Sequence, residues 1–458
     1  MPLIIDKQTI IKFDKPGPRY TSYPTAPQWS TAVTANDYGK ILNAFGKTSK
    51  TLSVYLHIPF CRSMCTFCAC SVIIRPESEK YADEYLKYLF KEIDLVKNAI
   101  GQKMKVKQLH LGGGTPTFLS PSQLQQLFDK ITDSFDIDFK EEIAIEIDPR
   151  TITDEKLRLL KILGFNRISM GVQDFDEEVQ KNINRIQPFS MVKDVFDACR
   201  GLQMASINFD LIYGLPGQTI NDFKTTVSQV ISLKPDRIAL YSFAYVPWLK
   251  KHQQKIDPAA LPTNDQKLDI FLHAREEFLK NGYLAIAMDH FALKEDELAK
   301  SFVAGKLYRN FMGYTVKPAD EYIGLGLSSI GFINNAFIQN EKNLADYYGK
   351  LESGELPVER GKILSNDDRI RQWVITSLMC RFEMDKNEFL DRFGQPFDVY
   401  FSFERAHLSN CAEDGLLTQT SQKIIVTDFG KIFIRNICMG FDYYLRQENS
   451  HKQFSRTI

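Results

Sequence analysis

The chain has 458 residues, 44% hydrophobic and 25% charged, the balance of a soluble globular protein, and its length suits about three domains or one large α/β unit with a smaller companion. Lys+Arg and Asp+Glu both number 57, so the net charge is zero. That argues against bulk nucleic-acid binding, which leans on a basic surface, but not against a small anionic ligand held by a few local cations. No apolar run approaches the roughly 18 residues of a membrane span. Asp6 and Lys7 interrupt the leading MPLIIDKQTIIKF before a signal-peptide core forms, so a cytoplasmic location is expected.

Residues 1–45 are rich in Pro, Tyr, Thr and Ser. Pro16, Pro18, Pro24 and Pro27 forbid a regular helix. Tyr20, Tyr23 and Trp29 are aromatics that disordered tails lack. The segment therefore reads as an extended arm lying over the rest of the protein. Alternation predicts a strand over 51–58, and the spacing of Tyr81, Tyr85, Tyr88, Leu89 and Ile93 a helix over 78–100. A strand over 106–114 runs into three glycines, and Ser120, Pro121 and Gln123 open the next helix with a cap. Strands over 141–149, 166–174, 206–216 and 236–245 alternate with helices over 153–164, 175–183, 189–202 and 220–233.

Six βα repeats imply a parallel sheet covered by helices through right-handed crossovers. Being fewer than the eight of a closed barrel, they predict an α/β fold with an open, partial (β/α)6 barrel. A seventh strand is expected over 284–292. The last hundred residues change character, with helices over 366–382 and 385–393, a hairpin over 416–430 and a final helix over 430–447. They read as a mostly helical, winged-helix-like domain, in which the neutral charge makes DNA binding improbable. The expected division is an arm (1–45), a barrel core (46–285), a barrel extension (286–355) and a C-terminal domain (356–458).

Eight cysteines in a chain this long do not suggest a disulfide scaffold. Cys199, Cys380, Cys411 and Cys438 are scattered, whereas Cys61, Cys65, Cys68 and Cys70 crowd one loop after the first strand, the first three in a C-x3-C-x2-C spacing. Three thiolate ligands leave one iron of an iron–sulfur cluster open to a further ligand. Recruiting Cys70 as a fourth ligand makes the same loop a zinc site. Position favours the first reading, because βα loops at the C-terminal ends of barrel strands are where active sites are built.

The cysteine loop, together with Gly112-Gly113-Gly114-Thr115-Pro116, resembles the radical S-adenosylmethionine (SAM) superfamily. PGPRYTSYPT (16–25), YLHIPFC (55–61), GGGTPT (112–117), EIDPR (146–150), SMGVQDF (169–175), NFDLIYGLP (208–216), MDHFA (288–292), NFMGYT (310–315), RNICMGFD (435–442) and QFSRTI (453–458) are similar, in order, to one family within it. That family is the oxygen-independent coproporphyrinogen III oxidases, or dehydrogenases.

The resemblance implies a 4Fe–4S cluster on Cys61, Cys65 and Cys68, with SAM chelating the fourth iron. Cys70 matches as a non-ligand, either a small residue beside the cluster or a substrate-side group. Two SAM molecules are implied. Tyr55, Gly113, Glu146 and Ile330 match positions around the first, and Phe67, Gly114, Thr115, Gln173, Arg185, Asp210 and Ala244 positions around the second. Alternatively, the glycines make a tight turn, Arg185 and Asp210 form ordinary ion pairs, and Ile330 and Ala244 are core. Arg19, Tyr20, Ser22, Tyr23, His290 and Arg309 are substrate candidates, with the arm as a mere cover and a structural His290 as the bland readings. His57, just before the loop, reads as a supporting residue rather than a reactant.

The implied reaction turns two propionates of coproporphyrinogen III into vinyl groups through a 5′-deoxyadenosyl radical, giving protoporphyrinogen IX in heme biosynthesis. A monomer is expected, with flavodoxin or ferredoxin as electron donor. The runner-up is a heme-binding relative without decarboxylase activity. Such relatives lack the Cys70 position and the PGPRYTSYPT arm, both present here.

Overall fold

The computed structural model describes residues 12–75, 79–316, 319, 321–447, 454 and 456. The first element is helix α1 (Ala35–Gly46), capped by a Thr34/Asp37 box. Strands β1 (Leu52–Ile58), β2 (Lys105–Gly113), β3 (Asp136–Ile147), β4 (Arg167–Gln173), β5 (Ser206–Tyr213) and β6 (Arg237–Ser242) then alternate with helices. Those helices are α2 (Glu79–Ile100), α3 (Pro121–Ser134), α4 (Asp154–Ile162), α5 (Glu177–Asn182), α6 (Phe189–Gly201) and α7 (Ile220–Leu233). All six strands pair in parallel, in chain order. β1 buries both faces, as a strand covered by helices must. The Ser120 cap of α3 forms as the sequence predicts, with Gln123 completing the box. β3 starts five residues before its predicted onset, because Asp138, Lys140 and Glu141 mask its half-exposed first part.

The sheet widens at both edges to twelve strands and stays open. The segment 284–292 is not one strand but a hairpin, β7 (Tyr283–Ile286) and β8 (His290–Leu293), with β8 antiparallel to β6. Ala287 takes a left-handed φ of 54° at the turn, and Asp289 there is buried. The seventh parallel strand is instead β9 (Glu321–Leu325), on the free side of β1. An antiparallel meander, β10 (Ile330–Ile333), β11 (Ala336–Asn340) and β12 (Val358–Ile363), follows it. The C-terminal helices Asn366–Arg381 and Lys386–Phe393 pack with a three-stranded sheet of Glu383–Asp385, Leu417–Gln419 and Lys423–Val426. The final helix expected over 430–447 is three short ones, Asp428–Ile432, Ile434–Met439 and Tyr443–Gln447. It breaks at Phe433, which leaves helical geometry, and again where Asp442 turns out to cap Leu445. Among the described residues no helix is long and apolar enough to cross a membrane.

The described part of the arm, from Lys12, is extended only up to about α1. Arg435 donates to the carbonyls of Gly17 and Pro18. The Tyr20 hydroxyl donates to Asp442 (3.1 Å), and the Tyr443 amide donates to the Tyr23 hydroxyl (3.1 Å). Arg19 reaches the carbonyl of Ser242, the last residue of β6 (3.0 Å). Trp29 stacks on Phe337 at 5.0 Å, and Ser30 bridges to Gly361 on β12. The arm thus crosses from the C-terminal region over the end of β6 to the far sheet edge. Helix α1 was hidden from the sequence reading by the prolines before it. Its Thr34-Ala-Asn-Asp37 cap and the apolar Tyr38, Leu42 and Phe45, all buried, were the signal. Phe45 is fully buried. Phe45→Ala is expected to lower the unfolding free energy by about 3–5 kcal/mol, read from urea denaturation followed by far-UV circular dichroism.

Candidate active site

Parallel pairing brings the C-terminal ends of β1 to β6 to one rim. The cysteine loop leaves β1 there, between the paired two-residue strands Phe60–Cys61 and Ile73–Ile74. Cys61, Cys65, Cys68 and Cys70 all border one cleft with Gly113, Gly114, Thr115, Glu146, Gln173, Arg185 and Asp210. Cys65 is buried, Cys61 and Cys68 are half-buried and Cys70 is exposed. The thiols share a loop rather than a point: among the described residues no three His, Cys, Asp or Glu side chains converge on one ion. Burial pushes the Cys61 thiol up to about 11, tempered by the Thr115 hydroxyl 3.4 Å away. A hydrogen bond with Cys70 draws Cys68 down to about 7.

The ends of β1, β2 and β3 interlock. His57 Nε2 lies 2.9 Å from the Ser71 carbonyl and must donate to it, which leaves Nδ1 to accept from the Tyr55 hydroxyl at 3.1 Å. Burial lowers the His57 pKa, consistent with that neutral ring. Gly113 sits at φ 120°, where a Cβ would lie 2.9 Å from the His57 ring and from the Ile58 carbonyl, so this turn requires glycine. Its amide donates to Glu146 at 3.2 Å, and His110 Nε2 lies 3.2 Å from the other carboxylate oxygen. Burial lowers the His110 pKa and Glu146 raises it, and the raising prevails.

Just beyond β3, Asp148 accepts from the Arg150 amide (3.0 Å), from the Arg150 side chain at Nε (3.0 Å) and Nη2 (2.7 Å), and from Arg185 (3.0 Å). Burial opposes the charge on Asp148, but the two arginines hold it down at about 2. Both guanidinium groups end 3.8–3.9 Å from the Cys65 sulfur. Arg185 also donates to the Gly171 carbonyl (2.8 Å), while its buried Nε finds no hydrogen-bond partner among the described residues. Gln173 ends β4 in a left-handed conformation, φ 67°. Asp210 accepts from Ser169 (3.0 Å) and Asn208 (2.9 Å), and burial, aided by the charge of Glu146, pushes it up to about 6.

The other candidates fall into three groups. Phe67 lines the cleft, and its carbonyl and that of Ala244 both accept from the buried Gln253, at 3.1 Å each. Ala244 itself and Ile330 do not border the cleft. Ile330 opens β10, with its side chain against the Trp29 cluster and its backbone against Gly324, the β9 residue that pairs with Tyr55. A deeper chamber shares Glu146, Ser169 and Asp210 with the cleft and is lined by Tyr241, His290 and Tyr314. There His290 donates to Asp289 (2.6 Å) and meets Tyr314 edge-on. Arg309 lies over Tyr314 at 4.4 Å, with its buried Nε and Nη1 unpartnered among the described residues. Of the arm candidates only Arg19 bonds the barrel, at the end of β6. Tyr20 and Tyr23 turn their hydroxyls to the C-terminal region, and Ser22 is buried in the arm.

Sequence reasoning passed over Asp148, Arg150, Ser169 and Gln253. The first two stand in EIDPR, where a carboxylate and a cation just past a strand end were a readable signal. Nothing in the sequence marked Gln253.

Residues 55–230 match the Radical SAM superfamily and residues 364–433 the HemN C-terminal domain. An open parallel barrel with its cysteine loop at the first strand end, together with these matches, defines a radical SAM enzyme. The chain is 42% identical to the "Oxygen-independent coproporphyrinogen III oxidase" of a Synechocystis strain, over 98% of this chain and 97% of that one. It is 44% identical to the protein of the same description from Helicobacter pylori, over 99% of both. The solved structure of coproporphyrinogen III oxidase (HemN) from Escherichia coli superposes with a TM-score of 0.91 at 38% identity, covering 97% of this chain and all of that one. The chain belongs to the oxygen-independent coproporphyrinogen III oxidases.

The raised Asp210 has a consequence for stability. Between about pH 4 and 6 the folded protein holds this proton and the unfolded chain releases it, so the group's contribution falls as pH rises through that window. Asp210→Asn is expected to remove that part of the slope in unfolding free energy against pH, measured by urea denaturation from pH 4 to 7.5.

Proposed function

We propose that Cys61, Cys65 and Cys68 hold a 4Fe–4S cluster with SAM beside it, and that the enzyme thereby decarboxylates two propionates of coproporphyrinogen III to vinyl groups without oxygen, giving protoporphyrinogen IX. The observation that carries this reading is the cleft in which the three cysteines meet Gly113, Gly114, Glu146, Gln173, Arg185 and Asp210 at the strand ends. The residues fit the groups. A Cβ at Gly113 or Gly114 would close the cradle against the loop backbone, and Arg185 and Arg150 set positive charge beside the Cys65 sulfur. The buried, unpartnered Arg185 Nε adds a free donor. When bound, the cluster and SAM supply the radical that removes hydrogen from a propionate β-carbon.

The chain's own residues bind and orient. Glu146 and Asp210 offer acceptors at strand ends for ammonium or ribose hydroxyl groups. We assign Tyr55, Gly113, Glu146 and Ile330 to a first SAM. To a second we assign Phe67, Gly114, Thr115, Gln173, Arg185, Asp210 and Ala244, the Phe67 and Ala244 carbonyls being tied through Gln253. Arg309, with two buried donors that have no hydrogen-bond partner among the described residues, and Arg19 at the end of β6 suit substrate carboxylates. The neutral ring of His57, bonded on both nitrogens, positions the loop rather than moving a proton. The electron comes from a carrier such as flavodoxin or ferredoxin.

The test is iron and sulfide content of anaerobically prepared protein. Cys61→Ser, Cys65→Ser or Cys68→Ser is expected to abolish the cluster and SAM cleavage. Cys70→Ser is expected to keep the iron and impair turnover, and equal iron loss in that variant overturns the three-ligand reading. Arg185 bridges Asp148 and Gly171, a fork that Lys does not reproduce. Arg185→Lys should retain iron and weaken SAM binding roughly ten- to a hundredfold, measured by equilibrium dialysis.

A further inference from the structure

The cysteine loop has an outer side that the cleft does not use. Behind it runs the segment from Val246 to Ile256, none of which borders the cleft. Three of its residues grip the loop backbone from behind. Gln253 donates to the Phe67 carbonyl (3.1 Å), His252 to that of Cys68 (2.7 Å) and Lys250 to that of Cys70 (3.1 Å). The same segment leaves Trp248 59% exposed and Leu249 61% exposed, side by side. A tryptophan so exposed is unusual in a chain with only three.

The stretch that carries this pair is basic, with Asp257 just past its end. Residues 244–256 carry Lys250, Lys251 and Lys255, and the loop itself, 59–75, carries Arg62 and Arg75. Neither stretch contains an Asp or Glu, in a chain whose net charge is zero. Lys251 and Lys255 are exposed, and no salt bridge links them to a carboxylate among the described residues. An exposed aromatic anchor with Lys251 and Lys255 exposed beside it is the anatomy of a docking site for an acidic partner.

We propose that the outer face of residues 246–256, centred on Trp248 and Leu249, docks a small acidic one-electron carrier protein. The inference rests on the cluster reading above. In docking, the carrier loses one electron and the cluster gains it; no bond forms or breaks. Electron transfer falls off steeply with distance, and this face is tied directly to the backbone of Cys68 and Cys70. A carrier seated here leaves the cleft open on the other side. The apolar pair supplies the buried contact, and the lysines steer the approach and make it salt-dependent.

The test uses the full-length, cluster-loaded enzyme and an acidic flavodoxin as probe. Oxidised flavodoxin is titrated against the enzyme and binding is followed by Trp fluorescence and by sedimentation, at low and high salt. SAM cleavage is then driven either by reduced flavodoxin or by dithionite, which needs no docking. For Trp248→Ala and for Lys251→Glu/Lys255→Glu, flavodoxin binding read by sedimentation is expected to weaken roughly ten- to thirtyfold. The flavodoxin KM should rise in step, with iron content and dithionite-driven cleavage unchanged. Binding by the wild type should itself weaken as salt is raised. Unaltered affinity in both variants, or no binding to the wild type at low salt, overturns the proposal. A protein without iron overturns the cluster reading instead, and iron content tells the two failures apart.

Discussion

Parallel hydrogen bonding makes each crossover helix return the chain to the same starting edge, so the ends of β1 to β6 have to meet at one rim. Residues more than a hundred positions apart become neighbours for that reason alone. Cys65 and Arg185 lie 120 residues apart in sequence and 3.8 Å apart in space. The rim gathers backbone groups, carboxylates and cations, while the apolar strand interiors stay sealed by helices. Leu56, Leu109, Ile145, Met170 and Phe209 are buried on successive strands of that sheet.

Charge at the rim is balanced within small groups rather than across the whole site. Asp148 neutralises part of Arg150 and Arg185, and this holds both guanidinium groups at Cys65. Without that carboxylate, a buried and a half-buried cation would repel beside one sulfur. Glu146 and Asp210 form the opposite case. They share one wall with His110 and Ser169, where burial, and then the charge of Glu146, raises Asp210. The cleft therefore has a cationic side at the cysteine loop and an anionic side at the ends of β3 and β5. A zwitterionic ligand is oriented by such a field before it makes any specific contact.

The arm and the C-terminal region act as one cover. Arg435 binds the arm's backbone at Gly17 and Pro18, Asp442 receives Tyr20, and Arg19 continues to the end of β6. Removing the arm would expose Tyr20, Tyr23 and Trp29 contacts that are core on both sides. Truncating the arm would therefore also disturb the packing of the C-terminal helices. Single changes such as those at Arg19 probe the arm's contact with β6 more cleanly than truncation does.

The order of strands, the cysteine loop, the glycine turn and the capped helices were legible in the sequence, because each is a local pattern: alternation, ligand spacing, a glycine run, a Ser-Pro-Ser-Gln box. What was not legible is set by distant partners. Segment 284–292 alternates well enough for a strand, yet it turns at Ala287 because a buried Asp289 and the free edge of β6 make a hairpin the better use of it. β9 joins β1 across more than 260 residues, a pairing no local signal announces. The final helix breaks where Asp442 is claimed by Tyr20 of the arm, over 420 positions away. By itself the sequence determined the repeating architecture and the crowding of four cysteines in one loop, since period and spacing act over a few residues. Only the tertiary structure decided that Asp148 clamps two arginines at Cys65, that Gln253 joins Phe67 to Ala244, and that the Tyr20 and Tyr23 hydroxyls bond the C-terminal region. Those contacts depend on which chain ends and edges meet, a matter of long-range closure that the local chain does not encode.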